Sequence, residues 1–323
     1  MISIAMATYN GARFIREQLD SILAQTITDW ELVVCDDGSS DETVSILQEY
    51  IAKDSRIKLH KNPQNLGFKR NFEQSIILCK GDYIALCDQD DIWYPTHLEI
   101  LYNQIGEHSL SIGNSDIVDI NNQYLNKRMS DTDGIYFIPN DTSKLIYREI
   151  FHSNPFQGAA MLLESRFAKS CLPIPKVVKY HDAWISACAC LADGLVYTYT
   201  PVIRYRHHGA NITTEDNQRE HGKTTIQKYK SNIKKSINTL LKKEKLTTDR
   251  FAMVERLKEI YGTKNSDFAK ICDFINNAEK QKLSWTNIIL LWKNIEYITT
   301  SQSKRSFINY WFIWSHIYPK TEI

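Results

Sequence analysis

Net charge is almost absent from this chain: 39 basic against 38 acidic residues leave +1 over 323 positions. No global field favours nucleic acid, and none is expected as a partner. No C-x-x-C pair occurs among the seven cysteines, and Cys188 and Cys190 are too close for a zinc ribbon and point to different faces of a helix. Most of Cys35, Cys79, Cys87, Cys171, Cys188, Cys190 and Cys272 sit in apolar surroundings, so reduced, buried thiols of a cytosolic protein are expected. No apolar run reaches 18 residues, and Met1-Ile2-Ser3-Ile4-Ala5 carries no basic n-region, so neither a membrane span nor secretion is expected. No G-x-G-x-x-G turn follows the first apolar segment, where the sequence reads Ala7-Thr8-Tyr9-Asn10-Gly11-Ala12, which argues against a nicotinamide enzyme. A G-x-x-x-x-G-K-[ST] loop is missing as well.

What is present is enough for a sizeable core, with 43% hydrophobic residues in a length that suits one large or two modest domains. Strand and helix alternate over the first hundred residues. Ile2 to Met6 reads as a buried strand, and Ile15, Leu19, Ile22 and Leu23 then mark one helical face. Glu31 to Cys35 is a second strand, after which Ser39 and Glu42 suggest a capping box for a helix packed through Val44, Leu47 and Ile51. Ile57 to Leu59, a helix over roughly Phe68 to Cys79, and a strand from Tyr83 to Leu86 complete a βαβ series. Such a series implies a mostly parallel sheet with ligands beyond the strands' carboxyl ends, where Thr8-Tyr9-Asn10, Asp36-Asp37 and Asp88 to Asp91 all fall.

The run Cys87-Asp88-Gln89-Asp90-Asp91-Ile92-Trp93 sets three carboxylates within four positions at the end of an apolar strand. Like charge at that density is costly unless a cation neutralises it, and hard oxygen ligands suit Mg²⁺ or Mn²⁺ with positions left for phosphate. The competing reading is an acidic loop capping the next helix. An aromatic at Tyr9 to stack a base, a carboxylate at Asp37 to accept from a base N–H, and a metal cluster for a diphosphate fit a nucleotide-sugar.

The combination Ala7-Thr8-Tyr9-Asn10, Val34-Cys35-Asp36-Asp37-Gly38-Ser39-Ser40-Asp41, Gly81-Asp82-Tyr83-Ile84 and Asp88-Gln89-Asp90-Asp91-Ile92-Trp93 resembles the family 2 glycosyltransferases of GT-A fold. The resemblance implies an α/β GT-A fold, with Asp90 as main ligand of a divalent cation and Asp88 nearer the ribose or a metal-bound water. It implies Asp37 or Asp36 as reader of the base and Tyr9 packed on it, with Thr8, Asn10 and Gln89 also around the nucleotide. Many relatives carry a basic residue in a G-x-x-x-A-R-N element. Here Gly67-Phe68-Lys69-Arg70-Asn71-Phe72 has its basic pair two positions early, so Phe72 takes the usual Arg position and Lys69 or Arg70 is left to reach the nucleotide from a neighbouring turn.

In the second half, Asn154-Pro155-Phe156-Gln157-Gly158 resembles the family's acceptor-facing loop, against the plain alternative of a turn before a core strand. Tyr180-His181-Asp182-Ala183-Trp184 is either an N-cap or, by resemblance to the family's E/H-D motif, the site of the catalytic base Asp182. Asp91, Trp93, Phe156, Gln157, Gly158, His181 and Trp184 are thereby expected around the acceptor. Tyr205-Arg206-His207-His208 resembles the Y-R-x-H element that ends the family's catalytic domain, with His208 as a further metal ligand.

These features divide the chain into a catalytic domain over 1–215, with a nucleotide-sugar half (1–105) and an acceptor half (106–215), and a helical C-terminal region over 216–323. Lysines between Lys223 and Lys245 decorate a basic amphipathic stretch, and Trp285, Trp292, Trp311 and Trp314 follow. That region is read either as a peripheral membrane face on the inner side of the cell membrane or as a subdomain that packs on the core or forms a homodimer. The expected function is inverting transfer of a sugar from a UDP- or dTDP-sugar to a saccharide acceptor, lipid-linked, in bacterial surface polysaccharide synthesis. The D-Q-D-D-I-W and H-D variants resemble rhamnosyl- and related hexosyltransferases. A sugar-nucleotide-forming nucleotidyltransferase and a non-catalytic nucleotide-sugar-binding module are the alternatives.

Overall fold

Alternate residues of the first strand enter two different cores. Ile2, Ile4 and Met6 pack on one face of the sheet and Ala5 on the other, so β1 (Ile2–Thr8) must be covered by helices on both sides. The computed structural model describes residues 1–132, 142–151, 154, 156–208, 251–279, 289–290 and 293–294. In it β2 (Trp30–Asp36), β3 (Ile57–Lys61) and β4 (Tyr83–Asp88) continue β1 as a parallel set. The helices α1 (Ile15–Leu23), α2 (Thr43–Ile51) and α3 (Phe68–Leu78) connect them.

The remaining strands are β5 (Ile92–Trp93), β6 (Leu110–Val118), β7 (Tyr124–Arg128), β8 (Met161–Glu164) and β9 (Leu195–Arg206). The sheet runs β3-β2-β1-β4-β8-β6-β9-β5, with β7 paired to β6. It is parallel from β3 to β4, as the βαβ series implies. Beyond β4 it is mixed, because β8 enters antiparallel to both β4 and β6, whereas β9 runs parallel to β6. Register sets the site: Thr8 lies opposite Asp36, and Ala7 opposite both Cys35 and Asp88. The polar ends of β1, β2 and β4 therefore arrive at one edge.

The helix faces follow the sequence pattern with two corrections: Leu23 is exposed, and Val44 is only half-buried because the packed face of α2 runs through Ile46, Leu47 and Tyr50. Ile15, Leu19 and Ile22 of α1 and Ile46 and Leu47 of α2 are buried on one side, and Phe72 and Ile76 of α3 on the other. The capping box is a correction. Ser39 gives its hydroxyl to Asp36 and accepts from the Asn10 N–H, while the Asp41 carboxylate takes the Thr43 N–H at the start of α2. All seven cysteines are free and buried.

Further helices are α4 (His97–Ile105), α5 (Met129–Thr132), α6 (Ile146–Phe151), α7 (Ser165–Ser170) and α8 (His181–Leu191). Helical residues 251–261 and Ser266–Glu279 join the same core, with Val254, Leu257, Phe268, Ile271 and Phe274 fully buried. At roughly 1.5–3 kcal/mol for each buried side chain of this size, packing accounts for this segment. The lysine-rich stretch from Lys223 to Lys245 and Trp285, Trp292, Trp311 and Trp314 lie outside the described residues. Among the described residues no helix is long and apolar enough to cross a membrane.

Candidate active site

A cavity of about 450 Å³ opens where β1, β2 and β4 end, between α3 and the first turn of α8. Thr8, Tyr9, Asp37, Asp88, Gln89, Asp90, Gln157, Gly158, His181 and Asp182 all line it. Residues as far apart in sequence as Thr8 and Asp182 are thus brought to one place by the register of β1, β4 and the α8 N-terminus.

On the side of β1 and β2 the site is a network of braces. The Asp37 carboxylate accepts from the Asn62 side chain (2.9 Å) and from the backbone N–H groups of Leu66 and Gly67 (2.8 Å each). Asn71 on α3 ties this corner down by donating to the carbonyls of Cys35 (2.9 Å) and Thr8 (3.3 Å). The Gln89 amide binds the Tyr9 backbone twice, accepting from its N–H (2.9 Å) and donating to its carbonyl (3.0 Å). Tyr9 itself is half-exposed, its ring free to meet a planar ligand.

The acidic loop is organised by the end of β9. His208 Nε2 lies 2.9 Å from Asp90 Oδ2, and its ring stacks on Phe14 with centroids 4.9 Å apart. Arg206, 1% exposed, donates through Nε to the Asp90 carbonyl and through its second terminal nitrogen to Glu17, while its backbone N–H binds Asp91 Oδ1. Burial, then the charges of Asp90 and Asp182, push the Asp88 carboxyl up to about 8. That negative surplus is what a cation relieves.

Across the cavity Asp182 stands in the first turn of α8. Burial raises its pKa to about 6, against the lowering effect of hydrogen bonds from the Ala183 N–H, the Asn154 side chain and the Gly158 backbone. The neighbouring His181 is buried and stacked on Phe72, centroids 4.2 Å apart. Burial lowers its pKa to about 4, so its ring is neutral.

Several expected contacts are not made. Asp36 does not reach the cavity: its carboxylate is used by Thr8, Ser39 and the Gly38 N–H in the turn after β2. Asn10, in a left-handed conformation with φ 48°, holds Ser40 through its side chain and is not in the lining. Lys69 gives its ammonium to the carbonyls of Pro175, Lys176 and Val178, and Arg70 pairs with Glu73, so neither faces the cavity. On the acceptor side, Asp91 is buried beneath Arg206, Trp93 is stacked on His97 in the core, and Phe156 packs near Tyr197. Trp184 is fully buried with its indole N–H on the Cys171 carbonyl. These four large or charged groups build the walls and do not face the ligand space. Sequence reasoning gave no role to Asn62, Asn71, Tyr180 or Tyr205. The asparagines between Asn62 and Asn71 were a usable signal, because side-chain amides in a strand-to-helix loop commonly fix backbone turns.

Among the described residues, no group of three or more His, Cys, Asp or Glu closes on a cation by itself. Asp88, Asp90 and His208 nevertheless fit a Mg²⁺ or Mn²⁺ ion that takes its remaining ligands from substrate phosphate and water, since these ions are ordinarily held by one or two carboxylates plus phosphate oxygens. The raised pKa of Asp88 and the His208–Asp90 contact are the features that support the fit.

The family model described as Glycosyl transferase family 2 matches residues 3–171. An uncharacterized glycosyltransferase of Haemophilus influenzae is 28% identical over 257 residues, covering 74% of this chain and 75% of that protein. The UDP-Glc:α-D-GlcNAc-diphosphoundecaprenol β-1,3-glucosyltransferase WfgD of Escherichia coli is 37% identical over 123 residues, 38% of this chain and 48% of WfgD. Staphylococcus aureus TarS 1–349 in complex with UDP-GlcNAc superposes with a TM-score of 0.55 at 14% identity, covering 98% of this chain and 89% of TarS 1–349. The mannosyltransferase PcManGT of Pyrobaculum calidifontis, in complex with GDP-Man and Mn²⁺, gives 0.54 at 15% identity over 98% of this chain and 86% of its own.

Proposed function

This chain belongs to glycosyl transferase family 2 and has a GT-A-like fold; from that premise we propose that it is an inverting, metal-dependent transferase with Asp182 as base. The observation that carries this reading is the position of Asp182, which faces Asp88 and Asp90 across one cavity with its carboxyl pKa at about 6. A base poised near neutrality is ionised at working pH yet basic enough to accept a hydroxyl proton.

In the proposed reaction Asp182 takes the proton of an acceptor hydroxyl as that oxygen bonds to the anomeric carbon. The bond from that carbon to the phosphate oxygen breaks, and its electron pair leaves with the nucleoside diphosphate, so one displacement inverts the carbon. The Ala183 N–H and the Asn154 side chain hold the carboxylate in place. Asp37 and Tyr9 take the base, and Gln89 keeps the Tyr9 backbone in register for it. Asp88, Asp90 and His208 are the residues that would hold Mg²⁺ or Mn²⁺. Such an ion, when bound, offsets the charge that develops on the leaving diphosphate.

The WfgD name supports a diphosphate-lipid-linked saccharide as acceptor in polysaccharide synthesis, which puts the reaction at a membrane surface. A hexose such as rhamnose falls within this reading on the D-Q-D-D-I-W and H-D resemblance. The test is Asp182→Asn: transfer is lost while nucleotide binding is retained. Transfer at the wild-type rate removes Asp182 from the mechanism. Flotation with anionic liposomes at low salt tests the membrane setting, and a chain that stays in the aqueous fraction argues for packing alone.

A further inference from the structure

The end of the cavity beside Asp182 carries polar atoms that have no partner. Both ring nitrogens of His181, which is 7% exposed, lack a hydrogen bond, and so does Oε1 of Gln157. Unpaired buried polar atoms are rare because each gives up water for nothing. Two residues with such atoms on one cavity mark a place where a ligand supplies the partners. Gly158 packs directly against this ring, since a Cβ there would lie 2.5 Å from His181 Nε2.

Charge narrows the ligand. Asp37, Asp88, Asp90 and Asp182 face the cavity, and no Lys or Arg is among the described residues that line it. His181 adds no positive charge, because burial against Phe72 keeps its ring neutral. Its seat also narrows the ligand. Phe72 belongs to α3, the helix whose leading Gly67 N–H holds Asp37, so His181 rests on the nucleotide half of the site.

We propose that the His181–Gln157 end of the cavity receives the sugar carried by the nucleotide and selects an uncharged pyranose over a hexuronate. The proposal rests on the nucleotide-sugar reading above. A neutral imidazole offers one N–H and one lone pair, and Gln157 Oε1 offers another acceptor, which match the donors and acceptors of ring hydroxyls. With the cation at Asp88, Asp90 and His208 engaged by the diphosphate, a carboxylate on the same sugar meets Asp182 and no Lys or Arg among the described lining residues. It is rejected by repulsion and by loss of its own hydration.

The experiment is calorimetric titration of the full chain with Mn²⁺ present, first with uridine, thymidine and guanosine diphosphates. The diphosphate that binds is then compared with its hexose and hexuronate conjugates. The hexose conjugate is expected to bind several-fold tighter than the bare diphosphate, and the hexuronate at least tenfold weaker than the hexose. His181→Phe keeps the stacking face and removes both ring nitrogens. It is expected to erase the gain from the hexose and leave the affinity for the bare diphosphate unchanged, which also reports that the variant is folded. Equal affinity of wild type for hexose and hexuronate overturns the proposal, and that comparison stands whether or not the variant folds. A hexose gain that survives in a diphosphate-binding His181→Phe chain overturns the role of the ring. If no diphosphate binds, the nucleotide-sugar reading itself fails and takes this proposal with it.

Discussion

His208 reaches back from the end of β9 to the loop after β4, its Nε2 2.9 Å from Asp90 Oδ2, so that two segments 118 positions apart share one charge centre. If this pair holds the cation, both partners carry metal-dependent nucleotide binding. His208→Ala is expected to weaken nucleoside diphosphate binding in Mn²⁺ by roughly 10–100-fold, and Asp90→Ala by at least as much. Binding in chelator is expected to be weaker and to be unchanged by either substitution. Titration of wild type and both variants with and without Mn²⁺ checks this, and an unchanged metal dependence in Asp90→Ala speaks against the assignment.

Gly11 is required by a side chain 78 positions away. A Cβ on it would lie 2.2 Å from Gln89 Oε1, the atom that accepts the Tyr9 N–H at 2.9 Å. The far end of a glutamine moves easily, so Gly11→Ala is expected to cost about 1 kcal/mol of stability or less. Its effect falls on the ligand: with Gln89 displaced, Tyr9 loses both backbone bonds and nucleotide affinity drops several-fold. Gln89→Ala alone should give the same loss, and the double variant no further loss, because both act through Tyr9. Additive losses in the titrations contradict that linkage.

Asp267 fastens the C-terminal helical segment to the catalytic core. Its carboxylate accepts from Lys144, from the Tyr147 hydroxyl at 3.0 Å and from Lys270 at 3.2 Å. Burial pushes its pKa up, but these three donors outweigh burial and hold it below the ordinary carboxylate value. A depressed folded-state pKa means stability that is present above the unfolded value near 4 and lost as pH falls through the folded one. Asp267→Asn is expected to cost about 1–3 kcal/mol in urea unfolding at pH 7, discounted for the partial exposure of both lysines, with nucleotide affinity unchanged. Equal urea midpoints for variant and wild type refute the fastening role.

The parallel half of the fold was legible because its strands and helices announce themselves locally. Ile2 to Met6, Glu31 to Cys35 and the 3.6-residue spacing of Ile15, Leu19 and Ile22 each specify an element without reference to the rest of the chain. The convergence of Thr8, Asp37, Asp88 and Asp90 follows from that pattern too, since parallel strands deliver their carboxyl ends to one edge. What the pattern does not encode is which way a side chain turns. Lys69 and Arg70 carry the right charge in the right helix, yet loop carbonyls at 175–178 and Glu73 claim them. Trp93 and Trp184 sit beside acidic residues in sequence but satisfy the core first, because burying an indole outweighs a solvent-facing contact. Nor does any local signal show that Phe72 and His181 stack, a contact across 109 positions that exists only once α3 and α8 are packed.

The pKa of Asp182 at about 6 makes opposite predictions for activity and for stability. As a base it must be ionised, so kcat/KM for transfer is expected to fall tenfold per pH unit below about 6 and to level off above it. Asn154 donates to this carboxylate and lowers its pKa, so Asn154→Ala should move that acid limb to higher pH. For folding the sign reverses. A carboxyl raised from 3.8 to about 6 by burial contributes stability that is complete below the unfolded pKa and lost as pH rises through the folded one. At pH 7.5 the ionised group therefore costs on the order of 1–3 kcal/mol, and Asp182→Asn, which cannot ionise, should melt a few degrees higher than wild type while transfer falls at least 10²–10⁴-fold. A lower melting temperature for Asp182→Asn at pH 7.5 would mean that the carboxylate is held for the fold rather than strained for the reaction.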